Sequence, residues 1–74
     1  MPVKVLLQEV RQSRNLSQNE LARLTNMSLQ NVQKIEQGRA KSLTFKSLTE
    51  FCHVLNCQPG DLLIYEQELA INRN

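Results

Sequence analysis

The residues best suited to chemistry in this chain lie on one side of a short predicted helix near its middle. Gln30, Asn31 and Lys34 are one and three residues apart, so a helix would turn all three toward solvent. Side-chain amides and an ammonium group donate and accept hydrogen bonds, which suits recognition better than bond breaking. A helix is about as wide as the major groove of DNA, where such groups can contact base edges.

Two capped helices and the tight turn between them account for residues 18–37. Ser17 begins the first helix in the pattern Ser-Gln-Asn-Glu, in which the serine hydroxyl and Glu20 satisfy free amides at the helix start. That helix is predicted to end at Asn26, and Ser28 caps the next one. Together they form a helix-turn-helix. The outward-facing residues predicted for its second helix are Gln30, Asn31, Gln33, Lys34 and Gln37.

Apolar residues at helical spacing predict three further helices. The first would cover residues 4–14, the fourth would begin at Thr44 or Ser47 and end at Asn56, and a short fifth would open at residues 58–61. Five short helices with short connections make a compact all-α bundle. The inward-facing residues predicted for helices two to five are Leu21, Leu24, Val32, Ile35, Phe45, Leu48, Phe51, Cys52, Leu55, Leu62, Leu63 and Ile64.

A chain of 74 residues has room for one hydrophobic core. We predict a single domain over residues 1–64 and a tail over residues 65–74. Ile64, Leu69 and Ile71 leave three interpretations of this end open, namely a short strand, a partner contact or a partly frayed segment. The sequence has no apolar run near the roughly 20 residues that cross a bilayer, and its start lacks a signal-peptide pattern. The expected location is therefore cytoplasmic.

Cys52 and Cys57, with His53 between them, are the residues to consider for a disulfide or a metal site. Zinc normally takes four ligands from short-spaced pairs, which this spacing does not provide. We interpret both cysteines as reduced thiols and expect no metal and no cofactor. The sequence also shows no carboxylate pair, nucleophile triad or phosphate-binding glycine loop, so we do not expect an enzyme.

Charge is unevenly distributed along the chain. Residues 1–46 hold eight Lys and Arg against three acidic residues, a balance of +5, whereas residues 47–74 hold one Arg against four acidic residues, a balance of −3. The net charge of the whole chain is +2. A basic first part suits contact with a polyanion, but an ordinary solvated surface would explain so modest a bias equally well.

The combination of helix order, caps and turn resembles the helix-turn-helix superfamily of phage Cro and repressor proteins and their Xre-like bacterial relatives. The resemblance runs from about Leu7 to Ile64, through LSQNELARLTNMSLQNVQKIEQGRAKSLTF and SLTEFCHVLNCQPGDLL. The second piece is similar to that of a subgroup of small bacterial regulators. Two positions differ from the usual pattern, because Asn26 replaces a turn glycine and Leu29 replaces a polar base reader.

The resemblance implies a lambda-repressor-like bundle and a sequence-specific transcriptional regulator, with repression favoured over activation. Such a protein would insert residues 28–37 into the major groove of double-stranded DNA, as a homodimer on a palindromic operator. Two alternatives on the same fold stay open. One is the antitoxin of a toxin–antitoxin pair, with a protein partner bound through the tail, and the other is a protein-interaction module. No membrane contact is expected.

We assign the expected site residues as follows. Base contacts are expected from Leu29, Gln30, Asn31 and Lys34. Phosphate contacts are expected from Gln18, Ser28, Arg39, Lys41 and Lys46. The resemblance further implies a structural ion pair between Arg11 and Glu36, which would hold the recognition helix, and the alternative is a free Arg11 that contacts phosphate. Arg14 is a further candidate for a phosphate contact, but Arg14 and Lys46 are equally compatible with plain solvated charges. The exposed amides of Gln30, Asn31 and Gln33 would by themselves suggest only helix surface.

Overall fold

The computed structural model describes residues 3–66, and within that range it contains five helices and a two-stranded sheet. The helices are α1 (Leu7–Ser13), α2 (Gln18–Thr25), α3 (Leu29–Glu36), α4 (Phe45–Leu55) and α5 (Pro59–Leu62). The strands are β1 (Val3–Val5) and β2 (Leu63–Tyr65), which pair in antiparallel register. The fold is thus mostly helical, as predicted, but it is not purely all-α. None of the helices in this range is long and apolar enough to span a membrane.

The strand β1 corrects the predicted start of the first helix. In the sequence Val3-Lys4-Val5 polar and apolar residues alternate, and the backbone of Leu63–Tyr65 supplies the ladder partners. The backbone amide of Leu6 then donates to the carbonyl of Leu62 at 2.7 Å, which ties the last residue before α1 to the end of α5. The chain therefore enters the helix at Leu7, about one turn later than expected.

Residues 63–65 form the strand β2, which is the first of the three interpretations of the chain's end. Ile64 lies in this short strand opposite Lys4 and is 42% exposed, so it faces away from the core that it was predicted to cover. The domain boundary at residue 64 stays a prediction. Leu69, Ile71 and the rest of the predicted tail beyond Glu66 lie outside the described residues.

One hydrophobic core lies where the five helices meet. Burying one large aliphatic side chain stabilises the folded state by about 1.5–3 kcal/mol, so this small set carries much of the stability. Ala22 is small enough to let α2 approach its neighbours closely. The buried apolar residues are Leu7, Leu21, Ala22, Val32, Ile35, Phe51, Leu55 and Leu62.

Besides Ile64, two further residues predicted to face the core are exposed. Leu24 is 45% exposed because the buried face of α2 runs through Leu21, Ala22 and Thr25, which leaves Leu24 at its margin. Phe45 is 87% exposed because it is the first residue of α4 and lies beyond the end of the core. Both predictions were wrong because helical periodicity gives the direction of a side chain but not the extent of its neighbours.

The helix ends follow from local side-chain chemistry. Ser17, Ser28 and Thr44 each accept a hydrogen bond from the backbone amide three residues later, at 3.0–3.1 Å. Thr44 rather than Ser47 therefore caps α4. Asn26 ends α2 in the left-handed conformation, with φ 59°, so asparagine supplies the turn geometry that glycine most often provides. Asn15 and Asn56 adopt the same conformation.

Replacing Ser17 with alanine tests the capping box of α2. The free energy of unfolding should fall by about 1 kcal/mol, because the amide of Glu20 loses its acceptor. Urea denaturation followed by circular dichroism measures the change. Asn19→Ala is the matched control, since Asn19 is exposed in the same helical turn and its side chain caps nothing. Equal losses in the two variants would contradict the capping role.

The same variant changes the titration of Glu20. The backbone amide of Ser17 and then its hydroxyl hold the pKa of the Glu20 carboxyl below its ordinary value of 4.5. Because the pKa of Glu20 is lower in the folded state, its ionised carboxylate stabilises the fold at pH values above the ordinary pKa. This stabilisation is lost as the pH falls through the lowered pKa. In Ser17→Ala the pKa measured by NMR should rise only part of the way, because the backbone amide stays in place.

Candidate nucleic-acid interface

The outer face of α3 is open to solvent, whereas its inner face is anchored in the core. Val32 and Ile35 are buried, and Gln30, Asn31 and Lys34 are exposed. An eight-residue helix is about 12 Å long, so its exposed face can lie against a few base pairs. The structure thus brings three of the four predicted base-contact residues onto one accessible surface.

The remaining residues at the start of α3 are more constrained. Leu29 is half-buried, which leaves only part of its side chain for contact with a ligand. The Ser28 hydroxyl accepts from the Asn31 amide at 3.1 Å, and the Asn31 side chain contacts the sulfur of Met27 at 3.7 Å. Ser28 therefore holds the helix start, and a phosphate contact by Ser28 or a base contact by Leu29 stays a prediction.

The predicted phosphate-binding residues Arg39 and Lys46 lie near the two ends of α3. Gly38 ends α3 with φ +75°, and the next backbone amide, that of Arg39, donates to the Lys34 carbonyl at 2.9 Å. The basic loop of residues 39–42 therefore begins directly after the helix. The Arg39 side chain donates to Gln37 Oε1 at 2.9 Å. Lys46 lies beside the turn, where with Thr25, Asn26, Met27, Ser47 and Glu50 it lines a shallow cavity of about 310 Å³.

The exposed charges of α3 and of the segment that follows it are of one sign. Residues 28–46 contain the cations Lys34, Arg39, Lys41 and Lys46, all of them exposed, and a single acidic residue, Glu36. The side chain of Glu36 is only 1% exposed and is paired internally. The exposed charges of this segment are therefore all positive, which favours a polyanionic ligand.

Glu36 is neutralised by Arg11 of α1. Arg11 Nε donates to Glu36 Oε2 at 2.6 Å and Nη2 donates to Oε1 at 3.2 Å, which is a bidentate pair. Arg11 Nη1 also donates to the Leu16 carbonyl at 2.8 Å, in the connection between α1 and α2. The ion pair implied by the resemblance is thus formed, and it ties α3 to α1 and to the start of α2.

Gln18 extends this pair toward the surface. Gln18 Nε2 donates to Glu36 Oε1 at 2.8 Å, and Gln33 Nε2 donates to Gln18 Oε1 at 3.3 Å. Arg11, Glu36, Gln18 and Gln33 therefore form one hydrogen-bonded set, which we call the polar network. The role of Gln18 as a phosphate contact stays a prediction, since both ends of its amide already have partners.

Gln33, which helical spacing predicts to be an ordinary outward-facing residue, is a member of the polar network. Gln33 is half-buried and lies at the margin of the exposed face of α3. The first residue of α2, Gln18, meets the second half of α3 at Gln33 and Glu36. Helical spacing alone does not say which pair of glutamines will meet.

Arg14 does not lie free in solvent. Its Nε donates to the Leu55 carbonyl at 2.7 Å and its Nη2 approaches the Asn56 carbonyl at 3.5 Å. These carbonyls end α4 and have no partner within the helix, so a cation there is favourable. Arg14 thus joins α1 to α4 and is not a plain solvated charge, whereas a phosphate contact by Arg14 stays a prediction.

Cys52 and Cys57 are free and half-buried. Burial raises the pKa of the Cys57 thiol above its usual value, and the nearby Cys52 and Asp61 raise it further. A raised pKa keeps the thiol protonated and weakly nucleophilic at neutral pH. Between residues 3 and 66 no three His, Cys, Asp or Glu side chains cluster as metal ligands would.

A capped helix pair, an anchored α3 and a positive surface around it define a helix-turn-helix nucleic-acid-binding domain. The model of the Cro/C1-type HTH DNA-binding domain family matches residues 6–68, and the chain belongs to that family. The predicted resemblance is thereby confirmed. Family membership makes this a domain of the kind that transcriptional regulators use to bind DNA.

Two relatives illustrate the family. The uncharacterized HTH-type transcriptional regulator YozG of Bacillus subtilis (strain 168) is 33% identical over 55 residues, which are 74% of this chain and 66% of that protein. The crystal structure of the clp gene regulator ClgR from Corynebacterium glutamicum superposes with a TM-score of 0.68 at 27% identity, over 74% of this chain and 57% of that one. The match thus spans about two thirds of the first relative and just over half of the second.

Replacing Arg11 with methionine tests the anchoring of α3. Because Glu36 would stay buried without a counter-charge, unfolding should become easier by about 3–5 kcal/mol, measured by urea denaturation. The double variant Arg11→Met, Glu36→Met removes both charges and should recover much of that loss. A loss below about 1 kcal/mol in the single variant would contradict a structural role for the pair.

Proposed function

We propose that this protein is a sequence-specific regulator of transcription that binds double-stranded DNA and acts as a repressor. Helix α3 would enter the major groove with its outer face toward the base edges. A domain of this size bound over a promoter would exclude other proteins from the same DNA. The protein would repress transcription by binding alone, without catalysis, in the cytoplasm.

The observation that carries this proposal is the composition of the surface around α3. Between residues 28 and 46 the exposed charges are all positive, and the one carboxylate of that segment, Glu36, is buried in the polar network. Polar groups that can discriminate base edges lie in the middle of this surface, and cations that suit phosphates lie at its margins. Affinity and sequence information are thereby divided between separate residues.

Each predicted base reader has a distinct chemistry. The amide of Gln30 can bond bidentately to adenine, and Lys34 can donate to guanine. Asn31 can read a base or hold a phosphate, and the exposed part of Leu29 can contact a thymine methyl group. Each good bidentate contact is worth roughly 1–3 kcal/mol of discrimination against the wrong base.

A second copy of the chain would supply affinity that one domain lacks. A single module buries roughly 600–1,000 Å² on DNA, which is small for tight specific binding. We place the dimer contact in the region of α4 and α5, where the exposed Phe45 stands beside a groove of about 470 Å³ lined by Leu48, Thr49, Cys52, Cys57, Gln58 and Pro59. Leu62 of α5 is 1% exposed and belongs to the core, so it is not part of this contact. A palindromic operator follows from such a two-fold dimer.

Selection of bound sequences from a random DNA library tests the function and the base readers together. The wild-type protein should select a motif, and Gln30→Ala or Lys34→Ala should each flatten the preference at one position. Arg23→Ala is the matched control, because Arg23 is exposed on α2 away from the presumed groove. Absence of any motif would contradict sequence-specific binding, and a motif unchanged by both variants would favour a protein-interaction module.

A variant of the loop after α3 separates phosphate contacts from base contacts. Arg39→Ala should weaken binding to all sequences about equally and reduce the slope of log K against log salt by about one. The base preferences of the motif should stay as they are, because Arg39 carries no sequence information. A changed motif in Arg39→Ala would instead make Arg39 a base reader.

Sedimentation velocity at high micromolar concentration tests the dimer. The wild-type protein should sediment as a dimer, and Phe45→Asp should shift it toward monomer. Leu24→Asp is the control, since Leu24 is exposed on a different helix. Monomer alone, with and without operator, would contradict dimerisation, whereas a dimer that survives Phe45→Asp would exclude this contact surface.

A further inference from the structure

A continuous line of hydrogen bonds runs from the buried centre of the domain to the margin of the proposed DNA surface. It begins at the Arg11–Glu36 pair, passes from Glu36 Oε1 to Gln18 Nε2 at 2.8 Å, and passes from Gln18 Oε1 to Gln33 Nε2 at 3.3 Å. The outermost member, Gln33, is half-buried, so part of its amide is still accessible.

The direction of every bond in this line is fixed by its buried end. The carboxylate of Glu36, bound to the Arg11 guanidinium, can only accept hydrogen bonds. Gln18 must therefore turn its NH₂ group toward Glu36, which turns its oxygen toward Gln33. An amide can ordinarily reverse its oxygen and nitrogen at little cost, but here reversal of Gln18 would place oxygen against oxygen at Glu36 and NH₂ against NH₂ at Gln33.

The same constraint fixes what Gln33 presents to a ligand. One hydrogen of its NH₂ group bonds to Gln18 Oε1. The second N–H and the Oε1 acceptor therefore remain available on the exposed side. One acceptor beside one donor matches adenine, which offers the N6 amino donor and the N7 acceptor in the major groove. Guanine offers two acceptors there, so the Gln33 oxygen would face another oxygen.

We propose that Gln33 is a specificity-determining residue that prefers adenine over guanine, and that Glu36 acts through Gln18 to set this preference. Gln18 and Glu36 are then positioning residues. The inference rests on the proposed function, and it deepens that function by adding a reader that helical periodicity assigns only to the margin of α3. A buried carboxylate would thus decide the hydrogen-bond polarity of a groove-facing amide from inside the domain.

The test compares binding constants for operators that carry A·T or G·C at each position of the selected motif. The position that Gln33 reads is the one whose preference Gln33→Ala removes. There the wild-type protein should favour adenine over guanine by about 10-fold, and Gln33→Ala should reduce this ratio to about 1.

The positioning role has its own variant. Gln18→Met keeps the size of the side chain at this half-buried position but removes the polar relay, which frees the Gln33 amide to reverse. The ratio at the Gln33 position should fall to about 2, while the ratios at the other positions stay unchanged. Gln12→Ala, at an exposed glutamine of α1, is the control and should change no ratio.

NMR of the free protein supplies a readout that does not depend on DNA. In the wild-type protein the Gln33 side-chain proton directed to Gln18 should exchange more slowly with solvent than the second, exposed proton of the same NH₂ group. In Gln18→Met this difference should disappear. Equal, fast exchange of both protons in the wild-type protein would overturn the polarity argument.

The outcomes separate the inference from the function on which it rests. A wild-type protein that selects no motif overturns both. A motif whose every position survives Gln33→Ala overturns the inference alone, as does a preference for guanine at the Gln33 position. A preference for adenine that is unchanged in Gln18→Met removes the role of Gln18 and Glu36.

Discussion

The burial of one carboxylate constrains the arrangement of the first three helices. Glu36 sits at the end of α3 with almost no exposure, and an unpaired charge there would cost several kcal/mol. The Glu36 carboxylate accepts hydrogen bonds from Arg11 of α1 and from Gln18 of α2, so both helices must pack against the end of α3. Because Arg11 also holds the Leu16 carbonyl, the connection between α1 and α2 is set by the same contact. A buried pair of this kind adds little stability compared with apolar packing, but it leaves few alternative positions for α3.

This constraint matters because α3 cannot maintain its own structure. A helix of eight residues is far below the roughly 12–15 residues at which isolated helices become even marginally stable in water. Its order comes from Val32 and Ile35 in the core and from Glu36 in the polar network. The outer face is thereby relieved of any structural task, so its amides and its lysine can be chosen for recognition.

Much of the fold could be predicted wherever local chemistry decides the outcome. The caps Ser17 and Ser28 and the left-handed Asn26 act within a few residues, so the bounds of α2 and α3 followed from the sequence. The strand β1 did not, because three alternating residues also fit a helical pattern and their partner lies some sixty residues later in the chain. The exposure of Leu24 and Phe45 was missed for a related reason, since it depends on which elements pack against α2 and α4.

The candidate site divides in the same way. The exposure of Gln30, Asn31 and Lys34 follows from the helix period, and the Arg11–Glu36 pair followed from resemblance to a family. The contact between Gln18 and Gln33 follows from neither, because it depends on rotamers and on the crossing of two helices. This contact nevertheless decides which atoms of the Gln33 amide donate and accept. The direction of a hydrogen bond between two amides depends on the contact and not on the residue types.

The antiparallel pairing of Val3 with Tyr65 has a further consequence for the path of the chain. It brings residues from opposite ends of the described segment side by side, so residues 3–65 form a ring closed by backbone hydrogen bonds and, at the rim, by the exposed Lys4–Glu66 pair at 3.3 Å. A ring of this kind suits circular permutation. A short linker between the two strands would replace a closure that already exists, and new ends could be opened in a surface turn away from α3 without removing any core residue.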